Sequence, residues 1–207
     1  MAFYPLYIDI EGKKCVVIGG GDVAKRKVLS LVECEADVEV VSPDISPSLA
    51  QLAKEGRIKV KRRNYEPGDL DGAVLVIVAT DNNEVNRKVH REATEKKIPV
   101  NVVDTPELCS FIVPSTVRRG DLIISISTSG SCPALAKHIR KQIQQLFGDE
   151  YAQYCEILRN FRREIADKYV EPGERKQALD RLIQSDVLEL LREGRVQEVE
   201  ERVRSCI

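Results

Sequence analysis

The chain has 207 residues, 43% of them apolar and 31% charged, and its 32 basic and 33 acidic side chains give a formal net charge of −1. That length suits one substantial domain with a smaller appendage, and the balanced charge argues against a general nucleic-acid binder. No apolar stretch reaches the length of a membrane span, and residues 1–14 lack the pattern of a secretory signal. We therefore expect a cytoplasmic protein without nucleic-acid or membrane partners.

The first hundred residues alternate short apolar runs with amphipathic stretches. Strands are predicted at KCVVIG (14–19), DVEVVS (37–42), RIKVKRR (57–63), AVLVIVAT (73–80) and IPVNVV (98–103). Helices are predicted between them, over 22–33, 46–55 and 82–96. We expect the third strand near an edge of the sheet and the fourth, which is the most apolar, at its centre. The alternation predicts an α/β fold with a Rossmann-like, doubly wound parallel sheet, whose strand C-termini line one ligand-binding edge.

After Asp104 the alternation stops. Residues 110–130 predict two antiparallel strands around the turn 118–121, which extend the sheet or pair with a partner subunit. A helix is predicted over 129–147, and two more over 150–169 and 174–193. The charged segment 194–206 is expected to be loosely held. The second half therefore predicts a small hairpin and helix followed by a helical C-terminal region.

The glycines after the first strand carry the strongest functional signal. Gly19, Gly21 and Ala24 form G-x-G-x-x-A between a predicted strand and a predicted helix. In a dinucleotide-binding fingerprint the first glycine permits the tight turn, the second lets a pyrophosphate approach the backbone, and the third small residue allows close helix–strand packing. The alternative is a plain turn. Strand, turn and helix occur in the order that the fingerprint requires, which favours dinucleotide binding.

The end of the second strand should contact the adenosine ribose of such a cofactor. It ends in Ser42, Pro43 and Asp44, and an acidic residue there accepts hydrogen bonds from ribose hydroxyls. Asp44 lies slightly beyond the end of the strand, where the ribose contact is expected, so Ser42 or the backbone at Pro43 contributes in this interpretation. The alternative is that Asp44 belongs to a turn or caps the next helix. No arginine follows the strand at once, which favours NAD over NADP.

A carboxylate and a group of hydroxyls are candidates for the chemistry. Asp104 ends the fifth strand on the edge of the glycine loop, where it could move protons beside a bound nicotinamide; the alternative is an aspartate that caps the turn before Pro106. The stretch 125–131, with Ser127, Thr128 and Ser129, leads into a helix N-terminus and could bind an anionic group, or it is an ordinary N-cap.

Basic side chains in the second half could pair with substrate carboxylates or remain solvated surface charges. They are Arg118, Arg119, Lys137, Arg140 and Lys141. His90 is expected on a helix surface, and His138 is a weaker candidate for a substrate contact. The six cysteines are scattered without a C-x-x-C pair, which favours reduced thiols over a zinc site, and no histidine spacing predicts a tightly bound metal.

Four stretches together resemble the precorrin-2 dehydrogenase family, the stand-alone or N-terminal module of siroheme synthase. They are YPLYIDIEGKKCVVIGGGDVAKRKV, ATDNNEVN, VNVVDTPELCSFIVPS and ISTSGSCPALAKHIR. The resemblance runs from about residue 3 to residue 140 and is specific in order and spacing. It implies NAD-dependent oxidation of precorrin-2 to sirohydrochlorin, with Fe²⁺ or Co²⁺ as a chelatase substrate in some members rather than as a bound cofactor.

The same resemblance implies cofactor contacts at residues 19–23, Pro43 and Asp44, a catalytic Asp104 and a three-part organisation. Together with the residue patterns described above, it gives one set of expected site residues. The expected cofactor contacts are Gly19, Gly20, Gly21, Asp22, Val23, Ala24, Ser42, Pro43, Asp44 and Thr80. Asp104 is the expected catalytic residue, and the expected substrate contacts are Ser127, Thr128, Ser129, Arg118, Arg119 and Lys137. The implied regions are an NAD-binding domain at 1–113, a dimerisation region at 114–147 and a helical region at 148–207, in a homodimer that binds a tetrapyrrole.

Two other functions stay open at this point. One is a regulatory module that senses NAD without catalysis, because regulatory domains of potassium-uptake systems have a similar N-terminal half. The other is a protein whose main duty is metal insertion into sirohydrochlorin. No residues in the sequence identify the ligands of such a metal.

Overall fold

The computed structural model describes residues 3–207. It divides into two compact units, residues 3–113 and Pro114–Ile207. The first unit contains strands β1 (Lys14–Ile18), β2 (Asp37–Val41), β3 (Lys59–Lys61), β4 (Leu75–Val78) and β5 (Val100–Val102). It also contains helices α1 (Asp22–Val32), α2 (Pro47–Lys54) and α3 (Asn83–Glu95), and a short 3-10 helix at Pro106–Leu108.

The five strands form one parallel sheet in the order β3-β2-β1-β4-β5. This is the Rossmann-like topology that the alternating sequence predicts, and β3 lies at an edge as expected. The prediction for the fourth strand is only half right. β4 is an interior strand with a partner on each side, but β1 occupies the centre of the sheet because the chain order reverses there.

Both faces of the sheet are covered, because successive residues of a strand point to opposite sides. Val17 of β1 lies in an apolar cluster with Val28 of α1 and Leu49 of α2, whereas Val16 lies in a second cluster with Val89 of α3. The two clusters explain why these strands read as continuous apolar runs instead of alternating ones. They make the sheet a rigid platform for the loops that follow its strands.

A buried carboxylate, Asp69, holds the chain between β3 and β4. It is 3% exposed, and its two oxygens accept hydrogen bonds from the Arg63 guanidinium at 2.6 and 2.8 Å. Lys61 Nζ donates at 3.0 Å and the Glu66 amide at 2.9 Å. Burial of Asp69 opposes its ionisation, but these donors outweigh that effect and hold the pKa of the carboxyl well below its usual 3.8.

We expect Asp69→Asn to lower the free energy of unfolding by about 2 kcal/mol near neutral pH, because Arg63 and Lys61 lose a buried counter-ion. A carboxyl with a lowered pKa in the folded state contributes stability above its unfolded value and loses that contribution as the pH falls below it. The difference between wild type and variant should therefore shrink in acid below the usual pKa of 3.8. Urea denaturation across pH measures it, with the exposed Asp71→Asn as control; an equal effect in both variants would contradict the prediction.

The second unit is a hairpin followed by five helices. Its elements are β6 (Ser115–Arg119), β7 (Leu122–Ile126), α4 (Pro133–Leu146), α5 (Glu150–Lys168), α6 (Pro172–Gln184), α7 (Val187–Arg192) and α8 (Val196–Ser205). The strands pair antiparallel around the predicted turn. Helices α5 to α8 share an apolar core that includes Phe161, Leu182, Leu190 and Val199. Among the residues that the structure describes, no helix is long and apolar enough to cross a membrane.

Two expectations for the C-terminal region are wrong. The single helix expected over 174–193 is two helices, α6 and α7, because the chain leaves helical geometry at Ser185, where ψ is 172°. The segment expected to be loosely held contains α8, whose Val199 is buried and which is followed by buried Cys206. Both side chains lie in the apolar core of this unit, so tertiary packing orders a segment whose sequence reads as mostly charged.

Candidate cofactor and active site

The glycine loop lies between the ends of β2 and β4. Gly19 has φ +117°, and its amide donates to the Val41 carbonyl at 3.0 Å. A Cβ atom on Gly19 would stand 2.1 Å from the Ala79 carbonyl oxygen, and one on Gly20 would stand 2.0 Å from the Asp44 carbonyl oxygen. The chain's own backbone therefore excludes side chains at these two positions.

Gly21 is in a different situation. It is exposed, has an ordinary φ of −82°, and no atom lies within 4 Å of where its Cβ would be. It is the N-cap of α1, and no side chain in the described part of the chain caps the helix. The first amides of a helix have no intrahelical partner and carry a partial positive charge, so this open space is suited to an anion. A plain turn would not require glycine here, whereas a diphosphate close to the backbone would.

The three residues after Gly21 differ in how deeply they are buried. Ala24 is fully buried in the cluster beneath α1, which is the close helix–strand packing expected of it. Val23 is half-buried and Asp22 is exposed in the first turn. These positions are compatible with a dinucleotide at the start of α1, and their contacts with a cofactor stay predictions.

The end of β2 supplies an exposed acid near the glycine loop. Ser42 is buried, and its hydroxyl donates to the Asp44 carbonyl at 2.6 Å, which shapes the turn. Pro43 and Asp44 are exposed. Ser46 caps α2 by accepting from the Leu49 amide at 3.5 Å, so Asp44 lies in the turn but is not the helix cap. The Asp44 carboxylate is thus exposed where the ribose contact is predicted, and Ser42 supports the turn. The contacts of both residues with a cofactor stay predictions.

Thr80 follows β4 at the same edge of the sheet. Its Oγ1 accepts from the Asn82 amide at 3.2 Å, and its carbonyl accepts from Asn86 Nδ2 at 3.3 Å. Asn82 in turn caps α3 by accepting from the amides of Glu84 and Val85 at 3.0 and 3.2 Å. Thr80 thus holds the loop beside the glycines in place and is half-buried there.

Asp104 lies just beyond β5, at the edge of the sheet where the glycine loop is found. Its φ is +59°, and its side chain is exposed. Within residues 3–207 no group forms a hydrogen bond or ion pair with its carboxylate, so it caps no turn before Pro106. A cleft of about 380 Å³ opens beside it, lined also by Asn83, Arg87 and Thr105. The carboxylate is therefore available to a ligand.

Cys109 supports the turn that carries Asp104. Its thiol lies 3.2 Å from both the amide nitrogen and the carbonyl oxygen of Val102, and 3.4 Å from the Thr105 carbonyl. Burial raises the pKa of this thiol, which keeps it in the neutral form that can donate. His90 was expected on the surface but is half-buried, with Nδ1 3.0 Å from the Leu108 carbonyl. It holds the 3-10 helix that follows the turn.

Lys27 of α1 is a candidate site residue that the sequence interpretation did not include. Its side chain is half-buried, and no ion pair to it is formed by any residue that the structure describes. Burial lowers the pKa of its ammonium, the charge of Arg26 lowers it further, and the charge of Asp104 acts in the opposite direction. Lys27 falls in the apolar stripe of α1, between Val23 and Leu31, and a lysine in such a stripe was the available signal.

The predicted substrate contacts all belong to the second unit. Arg119 already has partners there: its Nε donates to the Phe147 carbonyl at 3.0 Å and lies 3.3 Å from Asp149. These contacts tie β6 to the end of α4, so Arg119 supports the hairpin, and its contact with a substrate stays a prediction. Arg118 and Lys137 are exposed. Their role as substrate contacts stays a prediction.

The hydroxyl-rich loop before α4 is also organised internally. Ser127 Oγ accepts from the Ser129 amide at 3.0 Å, and Thr128 Oγ1 accepts from the Cys132 amide at 3.0 Å. Ser129 is exposed, with φ +52°. These two bonds shape the loop, whereas the N-cap of α4 is Cys132 and no side chain within residues 3–207 caps that helix. The exposed Ser129 hydroxyl is available to a ligand. No cluster of three potential metal-ligating side chains occurs among residues 3–207.

Comparison with known proteins gives two family matches along the chain. Residues 6–115 match the family described as "Putative NAD(P)-binding", and residues 119–146 match the one described as "Sirohaem biosynthesis protein central". Siroheme synthase of Methylobacillus flagellatus is 44% identical over 176 residues, which are 85% of this chain and 38% of that protein. Siroheme synthase of Thioalkalivibrio sulfidiphilus is 39% identical over 195 residues, 94% of this chain and 40% of that protein.

The chain therefore spans about two fifths of the length of these curated relatives. Among solved structures, one named "SirC, precorrin-2 dehydrogenase" has a similar fold, with a TM-score of 0.76. It is 26% identical, and the similarity covers 96% of this chain and 100% of that chain. The match includes the hairpin and the C-terminal helices as well as the sheet.

Proposed function

The chain belongs to the NAD(P)-binding family of siroheme-biosynthesis proteins, and from that premise we propose that it oxidises precorrin-2 to sirohydrochlorin with NAD⁺. The observation that carries the proposal is the pairing of two features on one sheet edge. Gly21 leaves open space at a helix N-terminus, and Asp104 presents a carboxylate that has no partner among residues 3–207. The SirC likeness and the siroheme synthase relatives support the same substrate class.

The reaction removes a hydride and a proton from the macrocycle. NAD⁺, when bound, supplies the acceptor for the hydride. The amides at the start of α1 hold the diphosphate, and Gly21 lets it approach. Asp104 accepts the proton on a carboxylate oxygen and passes it to water, to which it is exposed.

NAD⁺ is the cofactor that the end of β2 favours. The Asp44 carboxylate would accept from the ribose hydroxyls of NAD⁺ and repel the 2′-phosphate of NADP⁺. Arg63, on the neighbouring segment, is held by Asp69. Arg62 is exposed just beyond β3, so a titration with NADP⁺ belongs beside the one with NAD⁺. A tighter NADP⁺ complex would reverse this part of the proposal.

A second copy of the chain and a second step belong to the same proposal. The hairpin has two strands, and Leu135 and Leu146 of α4 are 47% and 67% exposed, which supports a homodimer formed through this region.

Fe²⁺ or Co²⁺ is proposed as a chelatase substrate, because the macrocycle itself supplies four nitrogen ligands. None of the six cysteines, all within residues 3–207, forms a disulfide, which supports a reducing compartment such as the cytoplasm.

An anaerobic assay with precorrin-2 tests the function directly. We expect an absorbance change that needs NAD⁺ and yields sirohydrochlorin, and a further change on adding Fe²⁺ or Co²⁺ if the metal is inserted. A regulatory module would bind NAD⁺ and leave precorrin-2 unchanged, which would overturn the proposal. That alternative is not favoured, since its relatives would not be expected among siroheme synthases.

A further inference from the structure

The second unit has a groove that the site described so far does not use. It has a volume of about 580 Å³ and lies against α5. Its lining includes Leu158, Arg159, Arg162, Arg163, Ala166 and, from the β6–β7 turn, Asp121. Steps of three and four residues place the α5 members on one side of the helix. The core of this unit uses another side of α5, through Phe161 and Ile165.

The groove carries an excess of positive charge. Arg159 pairs with Asp121 at 3.1 Å. Within the described part of the chain, neither Arg162 nor Arg163 forms a hydrogen bond or an ion pair through its side chain. Three guanidinium groups thus face one carboxylate, and like charges one turn apart weaken a helix slightly. The contacts of the fold therefore do not account for Arg162 and Arg163.

The lining is amphipathic as well as basic. Leu158 and Ala166 add apolar surface between the arginines. A guanidinium binds a carboxylate through two parallel hydrogen bonds, and its flat face stacks on conjugated rings. A ligand that matches both features has a flat apolar body and several carboxylates at its rim. The volume of about 580 Å³ is in the range of small-molecule sites.

We propose that this groove on α5 binds the carboxylate-bearing rim of a tetrapyrrole through Arg162 and Arg163. This inference rests on the proposed function for its ligand class, and it adds a surface on α5 that includes none of the residues proposed above for the cofactor or the substrate. Arg159, which is paired with Asp121, fixes the end of the groove nearest the hairpin.

Binding of uroporphyrin, a stable porphyrin with eight carboxylates, tests the proposal on the full chain. The fluorescence anisotropy of the porphyrin reports binding directly, because porphyrins absorb and emit visible light and protein side chains do not. We expect Arg162→Gln/Arg163→Gln to weaken binding about tenfold or more, because two charge-assisted contacts are lost. The matched control is Lys54→Gln/Arg57→Gln, which removes two exposed charges at the end of α2.

Each outcome decides the matter. Equal affinity of the groove variant and the control variant would overturn the proposal, as would displacement of the porphyrin by equimolar inorganic phosphate, which would indicate a general anion site. Arg162→Lys/Arg163→Lys should bind more tightly than the glutamine variant but less tightly than the wild type. Lysine keeps the positive charge but cannot donate the two parallel hydrogen bonds of a guanidinium. Circular dichroism checks that the variants fold.

Failure of the proposed function is separable from failure of this inference. If wild-type protein does not oxidise precorrin-2 but binds uroporphyrin through Arg162 and Arg163, the enzymatic proposal fails and the groove stands. If it oxidises precorrin-2 and the groove variant binds porphyrin normally, the groove proposal fails alone. NAD⁺ affinity, measured in the same samples, should be unchanged in both double variants.

Discussion

Asp104→Asn is expected to lower the rate of precorrin-2 oxidation by about 10²- to 10⁴-fold, the range that general acid–base groups contribute. The asparagine amide has nearly the shape of the carboxylate but cannot accept the proton that leaves the substrate. Asparagine also tolerates the left-handed backbone, with φ +59°, that Asp104 adopts. The loss should therefore come from chemistry and not from folding.

Single-turnover kinetics with saturating NAD⁺ measures this effect, and NAD⁺ affinity is the internal control, which should stay within about twofold. Asp104→Ala is a poorer test, since alanine at this φ adds strain of about 1 kcal/mol. Glu95→Gln, at the exposed end of α3 and outside the cleft beside Asp104, is the matched control for loss of one exposed charge. If Asp104→Asn turns over at the wild-type rate, Asp104 is not the proton acceptor.

Gly21→Asp is expected to weaken NAD⁺ binding by about 100-fold or more, close to 3 kcal/mol, while the protein stays folded. The new side chain would occupy the open space at the start of α1 and place a negative charge where the diphosphate should lie. Aspartate is itself a favoured N-cap residue, so the helix gains a cap that glycine does not provide. Isothermal titration with NAD⁺ and thermal unfolding measure the two quantities separately.

Gly19→Ala provides the contrast, because its methyl group would meet the Ala79 carbonyl oxygen at 2.1 Å and φ is +117°. We expect it to destabilise the fold by about 3 kcal/mol or more, since a packed backbone must move. Substitutions at two glycines two residues apart should thus have different effects: Gly19→Ala lowers stability, and Gly21→Asp weakens NAD⁺ binding. Normal NAD⁺ affinity in a folded Gly21→Asp protein would remove the glycine loop from the cofactor site.

The elements that the sequence predicts correctly are those that depend on the spacing of residues close together in the chain. Apolar runs separated by amphipathic stretches indicate the strands and helices of the first unit, and the parallel sheet follows from their alternation. The fingerprint at Gly19, Gly21 and Ala24 is readable because its residues lie within one turn of chain. Asp104 is readable for the same reason, as an acid at the end of a predicted strand.

The sequence by itself thus determined the fold class and the places of the glycine loop after β1 and of Asp104 after β5, since each follows from neighbouring residues. Only the tertiary structure decided that Gly20 is excluded by the Asp44 backbone while Gly21 faces open space, and that Lys27 lies within the electrostatic reach of Asp104. It also decided that Arg119 supports the hairpin and that the charged last segment packs as α8. These outcomes depend on contacts between residues far apart in the chain, and the spacing of apolar residues within one helix or strand does not predict such contacts.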